Sequence, residues 1–313
     1  MIATGWATRY RRRTAVTWVA LGLAACTRTT PPPQRAFATP EQAVEALAET
    51  VKTGTVAEVL AFFGPDGKAL LDSSDPATAR RNRQVFAAAV AERWHLVAHG
   101  HDARMLVIGN EEWPFPVPLV KRGGGWEFDA AAGKEEVLAR RIGRNELAAI
   151  RLCRTYVEAQ RLYARTGHDG ETAGIYAKAF RSDPDRHNGL YWPAARGEKR
   201  SPLGDLVARA AEAGAPSRAP GTKPSPFHGY YFHILTAQGP SAPGGARDYI
   251  AHGRLTGGFA LVAWPSAYDV TGVMTFIVSH DGIVREKDLG AGTDLAARGM
   301  TIFDPDTTWT PVQ

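Results

Sequence analysis

The chain has 313 residues, 44% of them hydrophobic and 22% charged, with 32 Gly, 21 Pro and 2 Cys. That length and mix exclude a disordered tail, a coiled coil and a collagen-like repeat, and two cysteines exclude a disulfide scaffold. Two domains are expected from the length, and the formal charge is +5.

The first element is an export segment. Arg9, Arg11, Arg12 and Arg13 supply a positive start, and Thr14 to Ala25 is an uncharged, largely apolar run of twelve residues. A spanning helix needs about 20, so the run is a signal core rather than an anchor. It ends in Leu23-Ala24-Ala25-Cys26, which resembles the bacterial lipobox. That resemblance implies that residues 1–25 are a lipoprotein signal peptide and that Cys26 is the lipid attachment site, making a membrane the first partner. Thr27 follows the cysteine where an Asp would imply inner-membrane retention, so the expected place is the outer membrane facing the periplasm. Residues 1–25 hold four arginines and no acid, so the 37 basic residues fall to 33 against 32 acidic ones. No basic field remains to argue for nucleic acid. With Cys26 acylated, Cys153 has no partner for an intramolecular disulfide.

Residues 26–35 include TRTTPPPQR, an extended tether. Residues 36–132 read as a small α+β unit. Thr39 caps a helix with Pro40 at its first position and Gln42 completing a capping box, and Val44, Leu47, Ala48 and Val51 follow at helical spacing up to Gly54. Short helices are expected over 56–63 and 80–93. A strand is expected at Met105–Ile108, and Trp113–Val120, whose alternating Trp113, Phe115, Val117 and Leu119 are interleaved with three prolines, is expected as an edge strand or an irregular extended arm. Gly123-Gly124-Gly125 turns the chain into Trp126-Glu127-Phe128.

Residues 133–144 read as a charged helical connector, after which Asn145 caps a long helix through Tyr163. Leu147, Ile150, Cys153, Val157 and Leu162 lie near one stripe, with Tyr156 and Tyr163 beside it. Helical pieces are expected over 172–224, with a loop at 214–226. The last ninety residues are β-rich: Tyr230–Leu235, Gly258–Trp264, Val273–Val278 and Ile283–Lys287, the last two joined by a type I′ turn at Asp281-Gly282. The fold class is therefore α+β.

Three resemblances follow from these residues. Helices first, then an antiparallel meander ending in GGGW-x-F, resembles the NTF2-like or cystatin-like α+β cone over residues 36–132. Asn145-Glu146-Leu147-Ala148-Ala149-Ile150, then Ala159-Gln160 and Tyr163, with the strand order that follows, resembles the headgroups of type IV pilins and type II secretion pseudopilins over 145–313. No spanning pilin helix precedes it, so the resemblance implies a soluble headgroup. Arg141-Ile142-Gly143-Arg144-Asn145-Glu146, Gly189-Leu190-Tyr191-Trp192-Pro193, His228-Gly229-Tyr230-Tyr231, Leu235-Thr236-Ala237-Gln238-Gly239-Pro240 and Lys287-Asp288-Leu289-Gly290, together with Trp113-Pro114-Phe115-Pro116, resemble the DUF2950 family of exported bacterial proteins, which implies no particular activity.

Chemistry-bearing motifs are sparse. The sequence has no G-x-S-x-G, S-x-x-K, H-E-x-x-H or C-x-x-C. Ser279-His280-Asp281 is triad-like in letters alone, since consecutive strand residues point to opposite faces. His95, His99, His101 and Asp102 form the one histidine cluster, and His168-Asp169-Gly170-Glu171 reads as a turn. No metal or cofactor is expected. Tyr191, Trp192, Tyr230 and Tyr231 are the candidate ligand- or partner-binding aromatics, and Lys287 with Asp288 is either an ion pair closing the sheet or a pair of polar site residues. The expected function is a non-enzymatic binding or assembly scaffold in the periplasm, engaging an envelope protein or glycan; the alternative is an envelope hydrolase using a pocket in the first unit.

Overall fold

The computed structural model describes residues 34–67, 76–194, 200–204 and 226–312. The export segment, Cys26, most of the tether and most of the loop expected at 214–226 lie outside the described residues.

Helix α1 (Pro40–Thr53) starts where Thr39 Oγ1 accepts the N–H of Gln42 at 3.2 Å, and it buries Ala43, Val44, Leu47 and Val51. The reciprocal capping box is made one helix later. At α2 (Val56–Leu60), Thr55 Oγ1 accepts Glu58 N–H while Glu58 Oε2 accepts Thr55 N–H at 2.6 Å. A carboxylate accepts an orphan N–H more strongly than the Gln42 amide can. Helix α3 (Pro76–Glu92) follows. Five antiparallel strands then form one sheet: β1 (Trp94–Ala98), β2 (Ala103–Ile108), β3 (Trp113–Pro114), β4 (Leu119–Arg122) and β5 (Gly125–Phe128), in the order β1-β2-β4-β5 with β3 paired to β2. The edge strand or extended arm expected over Trp113–Val120 is thus two short pieces. Prolines between them cannot donate to a ladder, and Trp113 is 46% exposed while Val117 and Leu119 are buried. Leu47, Phe62, Leu106, Leu119 and Phe128 lie at the centre of this first core.

The described end of the tether is docked on that core. Gln34 Nε2 donates to Phe62 O at 2.9 Å and to Phe128 O at 2.5 Å, and the Arg35 guanidinium lies 4.3 Å from the centre of the Phe62 ring.

Helix α4 (Ala130–Ala164) is 35 residues long, about 50 Å at 1.5 Å per residue. It absorbs both the expected connector and the expected helix from 145. Asp129 is its N-cap, its carboxylate accepting Ala132 N–H at 3.1 Å; Asn145 sits mid-helix. Leu147 and Leu162, expected inside, are 44% and 52% exposed. Ile150, Cys153, Val157, Tyr156 and Tyr163 are buried as expected, and the centre of the buried face runs through Ile142, Glu146, Ala149, Cys153, Tyr156, Gln160 and Tyr163. These positions alternate four and three apart, which keeps them on one face.

Over 172–194 and 200–204 the chain makes bridges and turns rather than the expected helices, for example Tyr176↔Leu255 and Arg181↔Tyr191. Gly174, Pro184, Gly189 and Pro193 break any helical run there.

The second lobe continues with β6 (Tyr230–Leu235), β7 (Ala237–Gln238), β8 (Arg247–Asp248), β9 (Ile250–Ala251), β10 (Arg254–Leu255), β11 (Ala260–Pro265), β12 (Met274–Ser279), β13 (Arg285–Asp288), helix α5 (Thr293–Arg298), β14 (Ile302–Phe303) and β15 (Thr310–Pro311). Its main antiparallel order is β15-β13-β12-β11-β6; β14-β7-β8 form a side sheet and β9-β10 a ribbon. Strand β11 is buried throughout, as its two-faced apolar sequence predicts. Helix α4 packs along β11 and β12, and α5 packs on β11, where Asp294 Oδ1 accepts the Trp264 indole N–H at 3.0 Å. The loop between β12 and β13 is not the expected type I′ turn. That turn needs positive φ at both central residues, and in this loop Gly282 alone has it.

Two apolar cores result, one from residues 43–130 and one from 149–303. The architecture is mixed α+β, with a long helix and antiparallel sheets.

Candidate functional site

The middle of α4 is the place to build from, because several of the sequence runs singled out above converge there. Asn145 Nδ2 donates to Thr271 O at 2.8 Å. Glu146 Oε1 accepts the N–H groups of Val273 at 2.9 Å and Met274 at 3.1 Å. The hydroxyl of Tyr230 donates to Met274 O at 2.8 Å. Three side chains thereby fix the backbone entering β12. Burial pushes the Glu146 carboxyl up from its ordinary value; the two N–H bonds oppose this, and the nearby Glu286 and Asp288 add to it.

Just before β6, Phe227 and Tyr230 exchange backbone hydrogen bonds around His228 and Gly229. Both central residues have positive φ, 45° and 73°, which is the signature of a type I′ turn. No turn of this type is expected from the sequence at 228–229. Only glycine fits position 229: a Cβ would lie 2.7 Å from Thr271 Cβ and 2.8 Å from Asn145 Nδ2. The turn holds His228 against α4. Arg144, Asn145, Leu147, Ala148, Arg151 and His228 line a pocket of about 270 Å³. Leu147 is the midpoint of α4. Seven residues before it, Arg140 Nη1 donates to Pro114 O of the first lobe; immediately before it, Asn145 and Glu146 hold the second.

The candidate binding aromatics are not brought together. Trp192 is buried, 4.5 Å from the His187 ring and 5.5 Å from the His168 ring, and His168 stacks on Tyr163 at 4.0 Å. Tyr191 lies half-buried under the Arg181 guanidinium, 4.8 Å away. Tyr230 is buried beside Phe276, whereas Tyr231 points to the other face of β6 and packs on Trp264. Lys287 and Asp288 do not pair with each other, because successive strand residues face opposite ways. Lys287 Nζ lies 3.9 Å from Asp306, while Asp288 accepts from the Tyr268 hydroxyl at 3.2 Å and from Gly290 N–H at 2.7 Å. Cys26 lies outside the described residues.

The remaining chemistry-bearing groups are also placed. His99 and His101 sit in the exposed turn between β1 and β2 rather than on a strand. Among the described residues, no group of three or more His, Cys, Asp or Glu side chains could hold a metal. Asp169 accepts the His187 N–H at 2.9 Å, and Glu171 pairs with Arg254 at 2.7 Å, so both acids of the 168–171 loop have protein partners. Ser279 accepts from Asp281 N–H, and His280 contacts Arg247; burial first, then Arg247, pushes the His280 imidazole down. The interior of the first lobe, where the alternative hydrolase reading would put a pocket, holds Phe128 in ring contact with Phe62, Phe63 and Phe115. An open groove on its surface is lined by Val51, Lys52, Arg83, Gln84 and Ala87.

Sequence reasoning missed the pocket. Arg144 and His228 were inside quoted motifs without a role, and Arg151 was not singled out. The signal was the seven-residue spacing of two arginines on a helix, which repeats a bearing after two turns. Among the described residues, no helix is long and apolar enough to cross a membrane. No curated protein and no solved structure matches the chain. A family model described as a protein of unknown function, DUF2950, matches residues 34–312.

Proposed function

The chain belongs to the DUF2950 family, and from that premise we propose that it is an exported bacterial lipoprotein, fixed to a bilayer through Cys26, that acts as a non-enzymatic binding or assembly scaffold in the periplasm. In this reading the first lobe is an NTF2- or cystatin-like unit, supported by its three helices and antiparallel meander. The second is a pilin-headgroup-like unit, supported by a long helix lying along an antiparallel sheet. The observation that carries the scaffold reading is α4 itself. One unbroken 35-residue helix serves both lobes, so a ligand held near its middle is held relative to each. A helix without a break gives no hinge of the kind that closing enzymes use. The partner is an envelope protein or a glycan.

Two measurements test this. The full-length protein, expressed with a radiolabelled fatty acid in a Gram-negative host, is expected in the outer-membrane fraction and labelled; Cys26→Ala is expected unlabelled. Equal labelling, or full-length unprocessed chain in the cytosol, overturns the anchoring. Cross-linking in intact cells is expected to join the wild type reproducibly to one envelope protein or to cell-wall glycan, and recovery of neither overturns the scaffold.

A further inference from the structure

The mid-helix pocket has a charge pattern that the packing of the fold does not explain. Arg144 and Arg151 stand seven residues apart on α4, about 10.5 Å along its axis and at nearly one bearing around it. Among the described residues, neither guanidinium has a hydrogen bond, an ion pair or a ring partner. Two other arginines of the helix are paired, Arg140 with Glu136 at 2.7 Å and Arg161 with Glu158 at 3.0 Å; Arg141 and Arg154 are exposed like Arg144 and Arg151 but do not line the pocket. His228, held by its positive φ, is part of the wall, and Asn145 is pinned by Thr271. Leu147 and Ala148 supply an apolar patch between the two arginines, and no carboxylate lines the pocket.

A guanidinium offers five N–H donors in a planar fork that matches the oxygens of a carboxylate or phosphate. Two of them without protein acceptors, around a concave apolar patch, form an anion receptor. The volume, about 270 Å³, is at the small end for organic ligands. We propose that this pocket binds a small organic oxyanion, a carboxylate or phosphoester, whose apolar body rests on Leu147 and Ala148. The assignment stands or falls independently of the lipid on Cys26. The anion comes either from a free metabolite or from the headgroup of an anionic lipid.

The mature chain is titrated by calorimetry with phenyl phosphate, phenylacetate, inorganic phosphate and uncharged phenol, while the Nε resonances of ¹⁵N-labelled arginine are followed. The same chain is also mixed with phosphatidylglycerol vesicles. Saturable binding of phenyl phosphate or phenylacetate is expected, with the Arg144 and Arg151 resonances shifting and phenol inert. Arg144→Gln and Arg151→Gln should each weaken binding about tenfold or more. Lys134→Gln, an exposed position elsewhere on α4, should not change it. All three side chains are exposed, and an unchanged circular dichroism melt checks folding. Binding to phosphatidylglycerol vesicles that both arginine variants abolish and phenyl phosphate competes away assigns the lipid source; binding of the small anions without vesicle binding assigns the free one. Absence of saturable binding, or binding that neither arginine variant weakens, overturns the site. Inorganic phosphate binding as tightly as phenyl phosphate overturns the apolar-body part.

Discussion

Glu146 and Gln160 are the two polar members of the buried seam of α4; Glu146 holds the backbone entering β12 and Gln160 holds the irregular segment at Ala177. Gln160 Nε2 donates to Ala177 O at 2.8 Å and to the Tyr156 hydroxyl at 3.0 Å, while its Oε1 accepts Ala177 N–H at 2.9 Å. Gln160→Leu keeps the volume and strands both backbone groups of Ala177, so a loss of about 2–4 kcal/mol is expected in urea unfolding. A change under 0.5 kcal/mol would show the clamp to be dispensable. Glu146 gives a pH signature. Its folded-state proton affinity is raised by burial, so its contribution to stability is complete below the ordinary carboxylate range and is lost as pH rises through the elevated value. Glu146→Gln stays neutral and retains an acceptor for Val273 and Met274. The variant's stability relative to wild type is expected to increase from pH 4.5 to pH 7.5, and a pH-independent difference would refute the assignment. Both residues were visible in the sequence as N-E and A-Q, but their role was not. A polar residue at seam spacing reads as a surface group until the loop that needs it is seen.

Elements were legible where periodicity was clean. Helix α1, with its Thr39 cap and Gly54 stop, and strands β6, β11 and β12 follow their patterns closely. Strand β1 did not show itself, because none of its residues is fully buried and so no in–out alternation is written into it. The unity of α4 was hidden by charge: residues 133–144 look like a solvated connector, yet Gly133 allows the helix to approach Val117 so closely that a Cβ would lie 2.7 Å from Val117 Cγ2. If α4 is one mechanical element, breaking its centre must be felt at both ends. Leu147→Pro removes a mid-helix hydrogen bond at an exposed site, at a cost of about 3 kcal/mol or more. Hydrogen exchange is expected to speed up at Leu106 in the first core and at Val262 in the second. Loss of protection confined to one lobe would show the helix to be two independent pieces.

At the scale of the whole molecule, two cores were to be expected from the length, while the pocket along residues 144–151 of α4 was not. It arises from a turn about 80 residues downstream of the helix it faces, a separation that no local pattern encodes. The docking of Gln34 and Arg35 on the first core sets a further limit. From Cys26 to Gln34 there are eight peptide steps, about 28 Å of chain at full stretch. If Cys26 carries the proposed lipid, the molecule is on a short leash: its first lobe stays within roughly its own diameter of the lipid surface, and the proposed ligand has to arrive at that shallow layer rather than be sought deep in the compartment.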